Sequence, residues 1–217
     1  MVISILTVKF YLFQLQIHKV HSLFDLIPAN SIELITDLIN SENLSIKIVK
    51  TRKTKHGDFR YLKDGKFQIT LNHIDNKFRF LITLVHELAH FKVSQSFKYR
   101  VNPHGFEWKK IYKHLMLPFL NNKIFPDDVL RHLAFHMINP PATTDSDINL
   151  VIALQKYELN EDEKTFLFEV PSNASFIFQE NKKFIKLNKR RKRYICKNLL
   201  TGRKFLFSPV ARVKINN

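Results

Sequence analysis

The chain has 217 residues, 45% apolar and 25% charged, and its 35 Lys and Arg against 19 Asp and Glu give a formal net charge of +16. These proportions are those of a globular protein with enough core for one domain and a small second one, and they exclude a disordered chain. The single cysteine excludes an internal disulfide and a four-cysteine metal site, and it is consistent with a reducing compartment.

Residues 1–30 are predicted to be an N-terminal extension. Met1 to Phe13 are mostly apolar with Lys9 as the only charge, a stretch too short to span a bilayer. It also lacks the basic start and small-residue cleavage pattern of a signal peptide. We therefore expect an appended strand or an upstream start codon in a cytoplasmic protein that makes no membrane contact.

Residues 31–138 are predicted to form the main domain. Its first part contains a helix over 31–40 and a strand over 44–49, because their apolar residues recur at helical and strand spacing. Strands over 59–62 and 67–71 flank Asp64-Gly65, which is a hairpin signal. A helix near 127–137 closes the domain.

A central helix is predicted over residues 78–96, which contain no Gly or Pro. Asn72 or Asp75 could cap its start, after the strand-like alternation that precedes it. Its apolar residues fall at i, i+3, i+4 and i+7, the pattern of a helix packed on a core: Leu81, Leu84, Val85 and Leu88.

The sequence His86-Glu87-Leu-Ala-His90 lies on this helix. Residues four apart share a helix face, so His86 and His90 can both reach one metal ion. Glu87 is offset around the helix, where it can take a proton from water held in an open coordination position. The alternative is that both histidines simply pack or face solvent.

A catalytic zinc site needs a third protein ligand. The metzincin class would place Gly and His where this chain has Val93 and Ser96, so that class is excluded. His104 is the predicted third ligand, in a Pro- and Gly-containing turn before a second helix that carries apolar residues toward the core: Phe106, Trp108, Ile111, Tyr112 and Leu115. Glu107 is the rival ligand. If His104 binds the metal, Glu107 is expected either to support a metal ligand without binding the metal itself or to stabilise the start of the helix.

The segments 80–90 (FLITLVHELAH) and 104–108 (HGFEW) together resemble the SprT-like, Spartan-type zinc metalloprotease domain, as do 57–60 (GDFR) and 69–72 (ITLN). The resemblance covers roughly residues 32–117. It implies a compact α+β zincin-like fold with helices and a small antiparallel sheet, one Zn²⁺ on His86, His90 and His104, and Glu87 as general base. It also implies proteolysis of DNA-associated proteins.

Residues 139–160 are predicted to be a linker with a short helix, and residues 161–217 a small β-rich subdomain. SprT-like proteins often end in a zinc ribbon with two cysteine pairs, whereas this chain has only Cys196. We expect a ribbon-like segment that keeps its strands without metal, with Cys196 as a small buried residue. The sequence thus predicts one metal site.

The positive charge is concentrated near the C-terminus. Residues 181–217 hold 13 Lys or Arg and no Asp or Glu, which leaves 22 basic and 19 acidic residues, or +3, in residues 1–180. Such a segment favours sequence-independent binding to DNA or another nucleic acid through counterion release. A solvated basic face is the alternative. The candidate contact residues are Lys189, Arg190, Arg191, Lys192, Arg193, Arg203 and Lys204.

The sequence therefore predicts a zinc metallopeptidase of the HExxH type that cleaves protein substrates. Two alternatives stay open. One is a non-catalytic nucleic-acid-binding factor with a structural or vestigial metal site, and the other is a zinc hydrolase of a non-protein substrate. For an oxyanion-stabilising group, Arg79, Tyr99 and Tyr112 are equally possible from the sequence.

Overall fold

A computed structural model of the chain describes residues 23–52, 54–97, 101–158, 164–179 and 181–215. The described residues divide into two compact units. The first lies within Met1–Ala142 and Ala153–Leu159, and the second within Thr143–Ile152 and Asn160–Asn217. The predicted extension over 1–30 falls mostly outside the described residues.

The described chain is mixed α+β, with five α-helices and two sheets of three and six strands. Several predicted elements, among them the strand over 44–49 and the Asp64-Gly65 hairpin, are confirmed. The elements in chain order are α1 (Ile32–Ile39), β1 (Leu44–Val49), β2 (Gly57–Tyr61), β3 (Phe67–Asn72), α2 (Lys77–Ser96), α3 (Phe106–Met116), α4 (Asp127–Ile138), α5 (Ile148–Gln155), β4 (Thr165–Phe166), β5 (Ser175–Phe178), β6 (Lys182–Arg190), β7 (Arg193–Asn198), β8 (Lys204–Phe207) and β9 (Arg212–Ile215).

The sheet of the first unit has the order β1-β3-β2. β2 and β3 form an antiparallel hairpin, whereas β1 pairs with β3 in parallel, with Ile46 opposite Ile69. The sheet is therefore mixed, and the prediction of a small antiparallel sheet was wrong. The hairpin accounts for the antiparallel pair, but β1 joins the far side of β3 and runs in the same direction.

Helix α2 is the buried centre of the first unit. The predicted stripe is confirmed, because Leu81, Leu84, Val85 and Leu88 are all fully buried. The predicted caps Asn72 and Asp75 were wrong: Asn76 precedes the helix, and its side chain accepts a hydrogen bond from the Arg79 amide at 3.0 Å. The Asn76 amide also donates to the Leu154 carbonyl at 2.6 Å, so a contact distant in sequence fixes the cap.

Helix α3 packs against α2 through one face. Trp108, Tyr112 and Leu115 are buried as predicted, but Phe106 is 78% exposed, so its predicted core position was wrong. Phe106 begins the helix about 200° around the axis from Trp108, which turns it away from the buried face. No described helix is long and apolar enough to cross a membrane.

The second unit contains a six-stranded sheet in the order β4-β9-β5-β6-β7-β8. Its core includes Phe176, Phe184 and Cys196, and the burial of Cys196 confirms that prediction. Desolvation raises the pKa of its thiol to about 11, so the group stays protonated and unreactive at neutral pH. Lys186 is also buried, and its ammonium donates hydrogen bonds to the carbonyls of Phe168 and Val170.

Candidate metal centre

Three imidazoles meet at one point of the first unit. The Nε2 atom of His104 lies 3.2 Å from Nε2 of His86 and 3.1 Å from Nε2 of His90. One ring nitrogen from each histidine lies within 4.8 Å of the other two, so the group could hold a metal ion. The one-turn spacing on α2 supplies two of these rings, and the turn before α3 supplies the third.

The turn that presents His104 has an unusual backbone. His104 has φ 57°, in the left-handed region that non-glycine residues seldom occupy. The Gly105 amide donates to the Asn102 carbonyl at 2.9 Å, which closes the turn immediately before α3. The backbone thus accepts a strained residue at the position where an imidazole completes the cluster, a pattern common at functional sites.

Hydrogen bonding among the three rings cannot account for their arrangement. A neutral imidazole Nε2 either donates one proton or offers one lone pair, so His104 cannot satisfy both neighbours. Zn–N bonds of about 2.05 Å in a tetrahedron place two nitrogens about 3.3 Å apart, close to the spacing found here. The donor set therefore fits a tetrahedral ion with three protein ligands.

The electrostatics of the cluster also suit a metal. Burial, followed by the neighbouring imidazoles, lowers the pKa of His86 to about 2, and it lowers the pKa of His90 to about 4. Burial also lowers the pKa of His104. The rings are therefore neutral at physiological pH, which is the form that binds a metal.

Glu87 is buried next to these ligands, with only 6% of its surface exposed. Desolvation, together with the charge of Asp58, raises its pKa to about 8. Asp58 is itself held by Lys55 at 2.8 Å and Arg60 at 2.6 Å. A cation on the histidines would stabilise the ionised form of Glu87, since opposite charge lowers a carboxyl pKa.

Trp108 packs against all three histidines. Its ring centroid lies 4.7 Å from those of His86 and His104 and 5.3 Å from that of His90. Tyr112 stacks on this indole with ring centroids 4.8 Å apart, and it meets His86 edge-on at 5.5 Å. The Trp108 Nε1 and the Tyr112 hydroxyl are buried, and no described residue hydrogen-bonds to either.

The remaining candidates are the rival metal ligand Glu107 and the three possible oxyanion-stabilising residues. Glu107 lies in the first turn of α3 and is not part of the three-histidine group. Arg79 lies two turns before His86 on α2 and forms an ion pair with Glu158 at 3.6 Å. Tyr99 lies outside the described residues. Of the two described oxyanion candidates, Tyr112 is thus the one that contacts the cluster.

Sequence reasoning missed the contribution of His136. This residue on α4 is only 4% exposed, and its charge is one of the influences that lower the pKa of His86. One usable signal was its spacing, because His136 falls on the same helix face as the buried Val129 and Leu133.

The seven predicted nucleic-acid residues are all exposed, but they fall into two groups. Residues 189–193 surround the β6–β7 turn, whereas Arg203 and Lys204 lie near the opposite end of β7, about 15 Å away along the strand. Strand pairing joins the groups across one face, because Lys197 pairs with Lys204. We call this the outer basic face, and define it as Arg190, Arg193, Lys197 and Lys204.

No family model, no curated protein and no solved structure matches the chain.

Proposed function

We propose that the chain is a zinc-dependent metallopeptidase of the SprT-like type that cleaves protein substrates. The supporting observation is the meeting of three imidazoles, with His104 Nε2 at 3.1 and 3.2 Å from the other two, on a helix in which the buried Glu87 directly follows His86. Three nitrogen ligands favour zinc over the oxygen-seeking ions Mg²⁺ and Ca²⁺.

In this proposal His86, His90 and His104 hold the ion, and Glu87 handles the proton. Bound zinc supplies Lewis acidity, which lowers the pKa of water and polarises a peptide carbonyl. The Glu87 carboxylate takes the proton from the attacking water and returns it to the leaving amine. The buried location of Glu87 limits competing solvent, and Tyr112 is the closest described candidate to donate to the developing oxyanion.

The proposed substrate is an extended peptide that lies along β2. This strand is the sheet edge in the order β1-β3-β2, so its outer side can add a strand. Phe59 on β2 stacks on His90 with ring centroids 6.4 Å apart and planes at 15°. A peptide paired with β2 would therefore pass close to the histidine cluster.

Cleavage of a dye-labelled unfolded protein, measured with and without single- and double-stranded DNA, tests the proposal. We expect the wild-type chain to bind one zinc and to cleave, Glu87→Gln to keep zinc and lose turnover, and His104→Ala to lose both. Cleavage by Glu87→Gln at the wild-type rate would overturn the proposal. A parallel panel of amide metabolites separates a peptidase from a hydrolase of small substrates.

A second proposed activity is sequence-independent nucleic-acid binding by the second unit, either as a tether for proteolysis or as the function of a non-catalytic factor. Strands β5–β9 carry no acidic side chain, and the outer basic face presents four cations in one surface. Ile195 and Leu206, which pair across the same face, supply apolar contact area between them. Glu87→Gln would leave a pure binding factor fully active.

A further inference from the structure

Strand β2 begins with a residue that touches Glu87. A Cβ atom built on Gly57 would lie 2.5 Å from Oε1 of Glu87, 2.7 Å from its Cγ and 2.9 Å from its Cδ. All three distances are below the closest approach that real Cβ atoms make. The Glu87 side chain therefore fills the space that any other residue at position 57 would occupy.

The backbone of Gly57 does not itself require glycine. The glycines with positive φ among the described residues are Gly65 and Gly202, so Gly57 adopts a conformation open to alanine. Its Cα lies in a regular antiparallel pair with Leu71 of β3. Close approach of Glu87 is thus the feature that selects glycine at the start of β2.

Asn72 fixes the segment that leads into Gly57. Its buried side-chain amide donates to the carbonyl of Lys55 at 2.7 Å and to that of Arg52 at 3.2 Å. The Asn72 backbone amide donates to the His56 carbonyl at 2.8 Å, and its side-chain oxygen accepts from Arg52 Nε at 2.8 Å. With both Asn72 and the β3 pairing holding this segment, Gly57 cannot move away from Glu87 without breaking several hydrogen bonds.

We infer that Gly57 is a positioning residue for Glu87: the bare Cα of β2, clamped by Asn72, holds the carboxylate at the histidine cluster. The same contact fixes the edge strand relative to the proton acceptor, so a peptide added to β2 would be placed in a set relation to Glu87. This functional reading rests on the proposed peptidase activity, whereas the steric contact does not.

A double-variant cycle in thermal stability tests the contact independently of activity. Gly57→Ala should lower the melting temperature of the otherwise wild-type chain. In the Glu87→Ala background the same substitution should leave it unchanged or raise it, because the colliding atoms are gone and alanine is less flexible than glycine. Gly57→Ala chains that fold only in the Glu87→Ala background would also support the inference. Equal destabilisation, or failure to fold, in both backgrounds would overturn it.

Kinetics then distinguish positioning from general stability. At a temperature where Gly57→Ala remains folded, we expect kcat to fall about 100-fold, the loss that a misplacement of about 1 Å can produce. The affinity for zinc should stay close to that of the wild type, since the three imidazoles are untouched. Unchanged kcat, or zinc affinity that falls in step with kcat, would overturn the positioning role. If the wild-type chain cleaves nothing, the proposed function fails while the stability cycle still decides the contact.

Discussion

The indole of Trp108 stands edge-on to the imidazole of His104, with ring centroids 4.7 Å apart and planes at 78°. The same indole contacts the other two histidines, and it is the only tryptophan in the chain. Any ion held by the three Nε2 atoms would therefore lie a few ångströms from the single indole fluorophore.

Metal binding should accordingly be visible in tryptophan emission. We expect Co²⁺, a paramagnetic substitute for zinc, to quench Trp108 with a stoichiometry of one ion per chain, and zinc to reverse the quenching by displacement. His104→Ala should require a far higher Co²⁺ concentration. Emission that is unaffected while elemental analysis finds bound cobalt would place the ion elsewhere.

The effect of replacing His104 on the stability of the metal-free chain should depend on which residue replaces it. Because its φ of 57° suits glycine, metal-free His104→Gly should be more stable than His104→Ala by about 1 kcal/mol. Both variants lack the imidazole, so both should lose the metal. Urea denaturation in the presence of a chelator measures the difference, and equal stabilities would show that the turn relaxes when the histidine is removed.

The pH dependence of stability should reveal the buried Glu87. Its pKa is raised from 4.5 to about 8 on folding, so the folded metal-free chain binds this proton more tightly than the unfolded chain does. Its contribution to the free energy of unfolding is therefore lost as pH rises from 4.5 to 8. The Glu87→Gln side chain does not titrate. The free energy of unfolding of this variant should therefore rise relative to that of the wild type across this window, by on the order of a few kcal/mol.

Titration of the histidines changes stability with pH in the opposite direction, but it affects Glu87→Gln and the wild type equally and so cancels in their difference. The lowered pKa values of His86 and His90 make both proteins lose stability as pH falls below 6.5. Saturating zinc should reduce the difference between Glu87→Gln and the wild type, because a cation favours the ionised carboxylate. A stability difference that is independent of pH in the metal-free proteins would contradict the raised pKa.

The outer basic face should carry part of the salt dependence of nucleic-acid binding. Replacing Lys197 and Lys204 with Gln should weaken binding to a labelled duplex and reduce the slope of log K against log salt by roughly 1 to 2. Replacing Lys63 and Lys66, which are exposed in the first unit, removes the same charge and serves as the control. Equal losses in the two double variants, measured by fluorescence anisotropy, would point to net charge rather than a defined surface.

Local spacing explains why much of the candidate site could be predicted. His86 and His90 lie one helical turn apart, so the sequence alone places both on the same side of α2. The hairpin and the buried stripe of α2 follow in the same way from short-range periodicity. These features depend on residues within a few positions of one another.

Long-range contacts account for what the sequence did not reveal. Asn72 and Asn76 are chemically alike, yet Asn72 clamps the segment before β2 while Asn76, held by the distant Leu154 carbonyl, caps α2. The parallel pairing of β1 with β3 and the approach of Gly57 to Glu87 likewise join residues about 20 or more positions apart. No local pattern records such encounters, because backbone geometry elsewhere decides them.

Lys186 is expected to stabilise the second unit from within. Its buried ammonium donates to the Phe168 carbonyl at 3.2 Å and to the Val170 carbonyl, and it lies 4.1 Å from the centroid of the Tyr194 ring. Lys186→Met would leave two carbonyls unpaired, at a cost of about 2 kcal/mol or more in chemical denaturation. Lys183→Met, an exposed change on the same strand, should cost little, and equal losses would show that the buried bonds are weak.

The buried cation of the second unit is the ammonium group of Lys186, which belongs to the polypeptide, whereas a metal ion must be bound from solution. Zinc starvation would thus silence the proposed chemistry of the histidine cluster while the sheet around Lys186 keeps its shape. Under the proposed function, activity of the first unit would depend on the supply of zinc, whereas the fold of the second unit would not.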